Sequence, residues 1–178
     1  MSSSNSPDVL FTRQEIATAV QRLAAAISRD YRDKNPLLIS VLKGSFVFVA
    51  DLVRCVDIPV EVEFIRLSSY GRDKTSSGTV RVVQGLCASV KGKDVLVVED
   101  IVDTGRTTSF LLDYLRKRKP ASLKLCTLLD KPSRREVPVT IDYLGLTVPN
   151  KFIVGYGVDW DEKFRHLPDI CFIEGNDK

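Results

Sequence analysis

The 178-residue chain has one histidine, one tryptophan and one methionine. A Ser-His-Asp hydrolase, a histidine-rich metal centre or an H-E-x-x-H protease would have to be built on His166 alone, which leaves acid–base work to carboxylates and lysines. No apolar run approaches the ~20 residues needed to cross a bilayer, and Met1 to Pro7 lacks the basic and apolar regions of a secretory signal. Nor is Asn176-Asp177-Lys178 a peroxisomal address. The expectation is a cytoplasmic protein with no membrane partner. Cys55, Cys87, Cys126 and Cys171 form no C-x-x-C pair, so they read as reduced and mostly buried rather than as a zinc ribbon or a disulfide scaffold. No sign of charge dominates: 26 Lys+Arg against 23 Asp+Glu leave a net +3, with 44% hydrophobic residues, which argues against disorder and against a nucleic-acid coat. Two nucleotide fingerprints are also missing. Gly92-Lys93 lacks the partner glycine and hydroxyl residue of a Walker A loop, and there is no G-x-G-x-x-G, so P-loop kinases and dinucleotide dehydrogenases fall away.

What is present fits one α/β domain over residues 1–178, with residues 1–10 Ser-rich and mobile. Ile16, Val20, Leu23, Ala24 and Ile27 recur at helical spacing behind a capping box of Thr12 and Glu15. Leu37 to Leu42 reads as a buried strand and Phe46 to Val53 as a helix, with Lys43-Gly44-Ser45 between them. Val60 to Leu67 begins with the alternation of a half-exposed strand, and Thr79 to Val83 resumes one, so the polar stretch 68–79 between them reads as a flap. Asp94 to Val98, a helix over 109–119 ended by Pro120, and a strand over 122–129 make a βαβ unit, which predicts a mainly parallel sheet covered on both faces. Strand-like runs follow at 152–157 and 170–174.

Ligands of open parallel sheets sit beyond the carboxyl ends of the strands, at the start of the next helix. That place holds Glu99, Asp100 and Asp103, then Thr104-Gly105-Arg106-Thr107-Thr108. Backbone N–H groups at a helix start, threonine hydroxyls and a glycine that permits close approach suit a phosphate. The carboxylates would repel one; they call for hydroxyls, a divalent cation or a proton to transfer. Asp103 could instead be only the helix N-cap, and Glu99 and Asp100 solvated turn residues.

The run Val97 to Thr107 closely resembles the phosphoribosyl pyrophosphate motif of type I phosphoribosyltransferases. Leu42 to Ser45, Phe64 to Tyr70, Leu128 to Lys131 and Pro149 to Tyr156 resemble the 6-oxopurine branch, the hypoxanthine-guanine phosphoribosyltransferases, and the likeness runs from about Leu37 to Ile173. The resemblance implies a twisted, mainly parallel sheet flanked by helices, with a small hood built from parts of about 11–36 and 150–178. It implies transfer of the 5-phosphoribosyl group to hypoxanthine or guanine with Mg²⁺ as cofactor, by a homodimer or homotetramer that takes small-molecule substrates. Thr104, Gly105, Arg106, Thr107 and Thr108 would hold the 5′-phosphate, with Arg106 contributing its backbone. Glu99 and Asp100 would face the ribose hydroxyls or a metal.

Asp103 matches the general acid/base near N7 of the purine. A carboxylate can share that proton while its charge favours the cationic sugar of the transition state. Lys131 matches the donor to O6, which would set 6-oxopurines apart from adenine. Phe152 matches the aromatic that stacks on the base, where its residue type alone would place it in the core, and the Ile153 carbonyl would accept from the guanine amino group. By the same resemblance Asp159 would line the purine site and matches a second metal ligand. Lys43 and Gly44 match a pyrophosphate loop entered through a non-proline cis peptide, and Arg165 a pyrophosphate contact. Ser69 and Tyr70 match the flap. Trp160 stands where the family would lead one to expect Tyr. Two alternatives stay open: an enzyme of this fold that accepts xanthine, and a non-catalytic RNA- or nucleotide-binding regulator using Arg116-Lys117-Arg118-Lys119, a run that also complements a helix dipole.

Overall fold

The computed structural model describes residues 7–69 and 80–173. A six-stranded sheet has the order β4-β3-β2-β5-β6-β7, and a separate three-stranded sheet the order β1-β9-β8. In the large sheet β2 (Leu37–Leu42), β3 (Glu61–Ser69), β5 (Asp94–Val102), β6 (Ser122–Asp130) and β7 (Tyr143–Thr147) run parallel. Only β4 (Val80–Gln84) is antiparallel, paired to β3 at the edge.

The apolar runs of the inner strands serve two faces at once. Leu38, Leu96 and Val98 pack on one side with α1 (Arg13–Asp30) and α2 (Phe46–Cys55), while Leu37, Ile39, Val95 and Val97 pack on the other with Leu111, Leu112 and Leu115 of α3 (Arg106–Arg116). A strand buried on both faces must be apolar throughout, which is why β2 and the first half of β5 show no polar alternation. Thr12 caps α1 with the expected reciprocal box to Glu15, and the Ile16, Val20, Leu23 and Ile27 stripe is buried.

Four readings of the sequence need correction. β5 does not stop at Val98: Ile101 pairs with Leu129 and Val102 with Asp130, so Glu99 and Asp100 lie within the strand and not in the turn after it. Strand propensity yielded there to a continuing ladder. β7 went unread because Gly145 breaks its apolar pattern, yet Gly145 lies against the Leu128 carbonyl where a side chain would not fit. Residues 8–10, expected to be mobile, belong to a strand: β1 (Asp8–Phe11) pairs with β9 (Ile170–Ile173), which pairs with β8 (Phe152–Val154). The N-terminal part of the small sheet is thus β1, whereas α1 joins the main core through its apolar stripe. Finally, Cys126 and Cys171 are buried but Cys55 and Cys87 are exposed; all four are free.

The order of strands reverses direction between β2 and β5, since β3 and β6 extend the sheet to opposite sides. A crevice forms outside the strand ends at such a switch point. Here it opens beyond Leu42 and Val102.

Candidate active site

The turn from β5 into α3 rests on Gly105, which has φ 82° at the helix N-cap. A β-carbon there would strike the Val137 carbonyl and come within 2.9 Å of Arg135 Cδ, so glycine is required by conformation and by space. α3 therefore begins at Arg106, three residues earlier than its apolar pattern indicates; the first N–H groups of a helix have no intrahelical acceptor and suit an anion, and here the Arg106 N–H reaches Thr104 Oγ1 at 3.4 Å. The Thr104 carbonyl accepts from Glu136 N at 2.9 Å and Val137 N at 3.0 Å, which ties the turn to the segment after β6. Arg106 reaches outward to Glu136 at 2.5 Å, in keeping with a backbone contribution to the turn.

Adjacent strand residues point to opposite faces, and this separates the two carboxylates that the sequence places together. Glu99 is 4% exposed and hydrogen-bonded to Thr108 of α3, and burial holds its carboxyl well above the ordinary range. Glu99 and Thr108, expected at the ribose or metal and at the phosphate, are thus both buried at the start of α3. Asp100 takes the other face. Burial pushes its carboxyl up to about 6, with the Arg165 guanidinium opposing that rise and Asp159 adding to it. Its carboxylate lies against Gly44, where any β-carbon would overlap it.

Around Asp100 the pyrophosphate candidates assemble. The Leu42–Lys43 peptide is cis. The Gly44 carbonyl abuts Gly157, which has φ 97°. Beneath this loop Ser45 donates to the Val41 carbonyl at 2.6 Å and shares a 2.6 Å hydrogen bond with Ser40, both hydroxyls being buried. Arg165 donates to the Gly157 carbonyl at 2.8 Å and pairs with Asp159 at 2.8 Å and Glu162 at 3.2 Å; its Nε is buried without a hydrogen-bond partner among the described residues. Lys43 pairs with Glu162 at 2.9 Å. Asp100 and Asp159 supply hard oxygen donors of the kind a divalent cation takes, and a buried carboxyl held near neutrality is one that a cation would ionise. No cluster of three acidic, histidine or cysteine ligands occurs among the described residues.

Beside the turn lies a cavity of ≈ 540 Å³ that brings together Asp103, Lys131, Phe152, Ile153 and Asp159 with Ile101 and Arg134. Asp103 has one carboxylate oxygen buried with no hydrogen-bond partner among the described residues, and its nearest cation is Arg134 Nε at 3.6 Å. Lys131 is 8% exposed and donates to the Lys151 carbonyl at 2.8 Å; burial lowers its pKa while Asp103 raises it. Phe152 is 38% exposed, so it is not a core residue but a ring open to the cavity. Its edge meets Trp160 at 6.1 Å between centroids, and Trp160 stacks on Phe164 at 6.4 Å. A larger groove of ≈ 690 Å³ between α1 and the end of α2 contains none of these groups. His166 is exposed in another groove beside Ile16 and Phe46, apart from the cavity.

Of the flap residues, Ser69 ends β3 with its side chain outside the described set, and Tyr70 lies outside the described residues altogether. Arg116 pairs with Asp113 at 2.7 Å, and Arg118 covers the Tyr114 ring at 3.5 Å. Sequence reasoning passed over Arg134 and Arg135, although two cations three and four residues beyond a lysine at a strand end were a usable signal.

Known proteins match this arrangement. Residues 8–161 match the family model of the phosphoribosyl transferase domain. A hypoxanthine-guanine phosphoribosyltransferase of Bacillus subtilis is 45% identical over 162 residues, covering 91% of this chain and 90% of the relative. The bifunctional protein TilS/HprT of Listeria monocytogenes is 47% identical over 166 residues, 93% of this chain, which spans only 26% of that longer protein. Among solved structures, a hypoxanthine-guanine phosphoribosyltransferase of Bacillus anthracis has a TM-score of 0.86 at 44% identity, covering 93% and 97% of the two chains. A hypoxanthine phosphoribosyltransferase of Trypanosoma cruzi, solved as a ternary substrates complex, has a TM-score of 0.89 at 44% identity, covering 95% and 96%. With the domain model spanning most of the chain and the Gly105 turn, the Lys43–Gly44 loop and the cavity meeting at the switch point, the chain belongs to the phosphoribosyltransferase family.

Proposed function

We propose that this protein transfers the 5-phosphoribosyl group of phosphoribosyl pyrophosphate to hypoxanthine or guanine, releasing pyrophosphate and forming IMP or GMP. The observation that carries this reading is the single cavity shared by Asp103, Lys131 and Phe152 beside the Gly105 turn. The names of the relatives from Bacillus subtilis and Bacillus anthracis support the purine class.

The 5′-phosphate would lie on the N–H groups of residues 104–107, with the helix start contributing partial positive charge. Phe152 offers its open face to the base. Lys131 donates to O6, and a 6-amino group would set donor against donor. Asp103 shares the N7 proton while its negative charge stabilises the developing oxocarbenium ion. Lys43, the Gly44 backbone and Arg165 receive the leaving pyrophosphate, and Arg165 can exchange its contacts with Asp159 and Glu162 for phosphate oxygens. Asp100 and Asp159 would hold Mg²⁺, which screens the pyrophosphate charge. Residues 68–79 would close as a flap and keep water from the activated sugar. The whole chain would act as one domain in the cytoplasm, as a dimer or tetramer.

The test is kcat/KM for hypoxanthine, guanine, xanthine and adenine with phosphoribosyl pyrophosphate and Mg²⁺. Hypoxanthine and guanine should turn over, with adenine slower by about 10²-fold or more, as expected where a buried donor is left facing a donor. Lys131→Ala should shrink that gap. Failure with all four bases would refute the assignment.

A further inference from the structure

We propose that Arg135 is the residue that positions both Asp103 and the first amide of the phosphate turn, an inference that rests on the reaction proposed above. Its side chain is 18% exposed, and Arg135 does not itself line the cavity. Nε donates to the Asp103 carbonyl at 3.1 Å and Nη2 to the Val102 carbonyl at 3.3 Å, while Nη2 also pairs with the Asp130 carboxylate, itself 14% exposed. One planar guanidinium thus grips two successive carbonyls of the turn after β5 and a carboxylate at the end of β6. Lysine, with a single ammonium, cannot span three acceptors in that fork.

Peptide geometry turns this grip into a functional one. In a trans peptide the carbonyl of one residue and the N–H of the next point in opposite directions within one rigid plane. Fixing the Asp103 carbonyl on Arg135 therefore aims the Thr104 N–H away from Arg135. Fixing the Val102 carbonyl as well holds the planes on both sides of the Asp103 α-carbon, and with them the direction of its carboxylate. The same segment closes over the turn again: Glu136 N and Val137 N bind the Thr104 carbonyl, and Arg135 Cδ leaves no room for a side chain at Gly105. Because Asp130 precedes Lys131, whose N–H donates to the Val102 carbonyl at 3.0 Å, the guanidinium also sets the spacing between the O6 donor and the acid–base group.

Arg135→Lys should lower kcat with hypoxanthine by ~30-fold or more, since displacement by about 1 Å far from the chemistry can cost ~10²-fold. It should also weaken binding of ribose 5-phosphate, measured by calorimetry, by ~10-fold, while the melting temperature stays within about 3 °C of the wild type. A folded variant with unchanged kcat and unchanged ribose 5-phosphate affinity would overturn the proposal. If Arg135→Lys does not fold, Asp130→Asn replaces it: the same two losses, each ~5-fold because the carbonyl contacts remain, are expected, and no loss in either overturns the proposal. Wild-type protein inactive with every purine would refute the purine reading alone, and ribose 5-phosphate binding would still decide the role of Arg135.

Discussion

The two edges of the large sheet use the same residue types for opposite ends. At the amino edge, where β5, β6 and β7 begin, Asp94 accepts from Ser122 and from Lys34 at 3.3 Å, and Asp30 accepts from Tyr143 at 2.9 Å. Lys124 donates to the Tyr143 hydroxyl at 3.3 Å and lies between the Tyr31 and Tyr143 rings. These hydrogen bonds hold the Asp94 and Asp30 carboxyls below their ordinary values. At the carboxyl edge burial raises Glu99 and Asp100 instead, and Asp103 keeps an oxygen without a hydrogen-bond partner among the described residues. At that same edge Asp130 is paired with Arg135 and Asp159 with Arg165, so the fold could have satisfied Asp103 as well. The difference singles out Asp100 and Asp103 as candidate groups for substrate, cation or proton.

The largest expected effect breaks that contrast at Asp103. Asp103→Asn should lower kcat by about 10²–10⁴-fold, the usual worth of a general acid/base, with little change in melting temperature; wild-type turnover by the folded variant would remove Asp103 from the chemistry. At the other edge Tyr143→Phe should do the reverse. It strips Asp30 of its main hydrogen bond, costing about 1 kcal/mol and ~3 °C of melting temperature, while kcat is unchanged.

A subtler pair concerns pH, measured as melting temperature without divalent cations. The folded carboxyl of Asp100 titrates near 6 against an ordinary 3.8, so the folded state resists an ionisation that the unfolded chain accepts. Stability from this group is complete below its ordinary value and is lost as pH rises through the folded one. Asp100→Asn should therefore be the more stable protein at pH 7, by ~2–4 °C, with the advantage gone near pH 4. Asp94 has the opposite sign, because its folded value is lowered and its stabilising contribution is lost as pH falls. Asp94→Asn should be the weaker protein at pH 7 and converge on the wild type in acid. Parallel pH curves for the two variants would erase the distinction between the edges.

The contiguous parts of the site were legible in the chain. Glu99 to Thr108 forms one run, because a turn that cradles a phosphate needs neighbouring amides and a glycine, and such local demands leave a local mark. What was not legible depends on direction and distance. That Glu99 turns to α3 while Asp100 faces Gly44 follows from β5 continuing to Val102, which its charged residues concealed. The small sheet joins Asp8 to Phe172, and no pattern within β1 announces a partner that remote. Arg135 acts on carbonyls 32 and 33 residues away, and backbone acceptors leave no trace in a sequence.

The sole tryptophan has a further consequence. Trp160 lies 6.1 Å from Phe152, the ring on which a base would stack, and is 42% exposed. Its emission is therefore an intrinsic optical gauge of this one cavity, undiluted by any second indole. Titrating GMP into the unlabelled protein should quench or shift that emission in a saturable way, and Phe152→Leu should blunt the signal. Occupancy of the base subsite can then be followed in real time, apart from turnover.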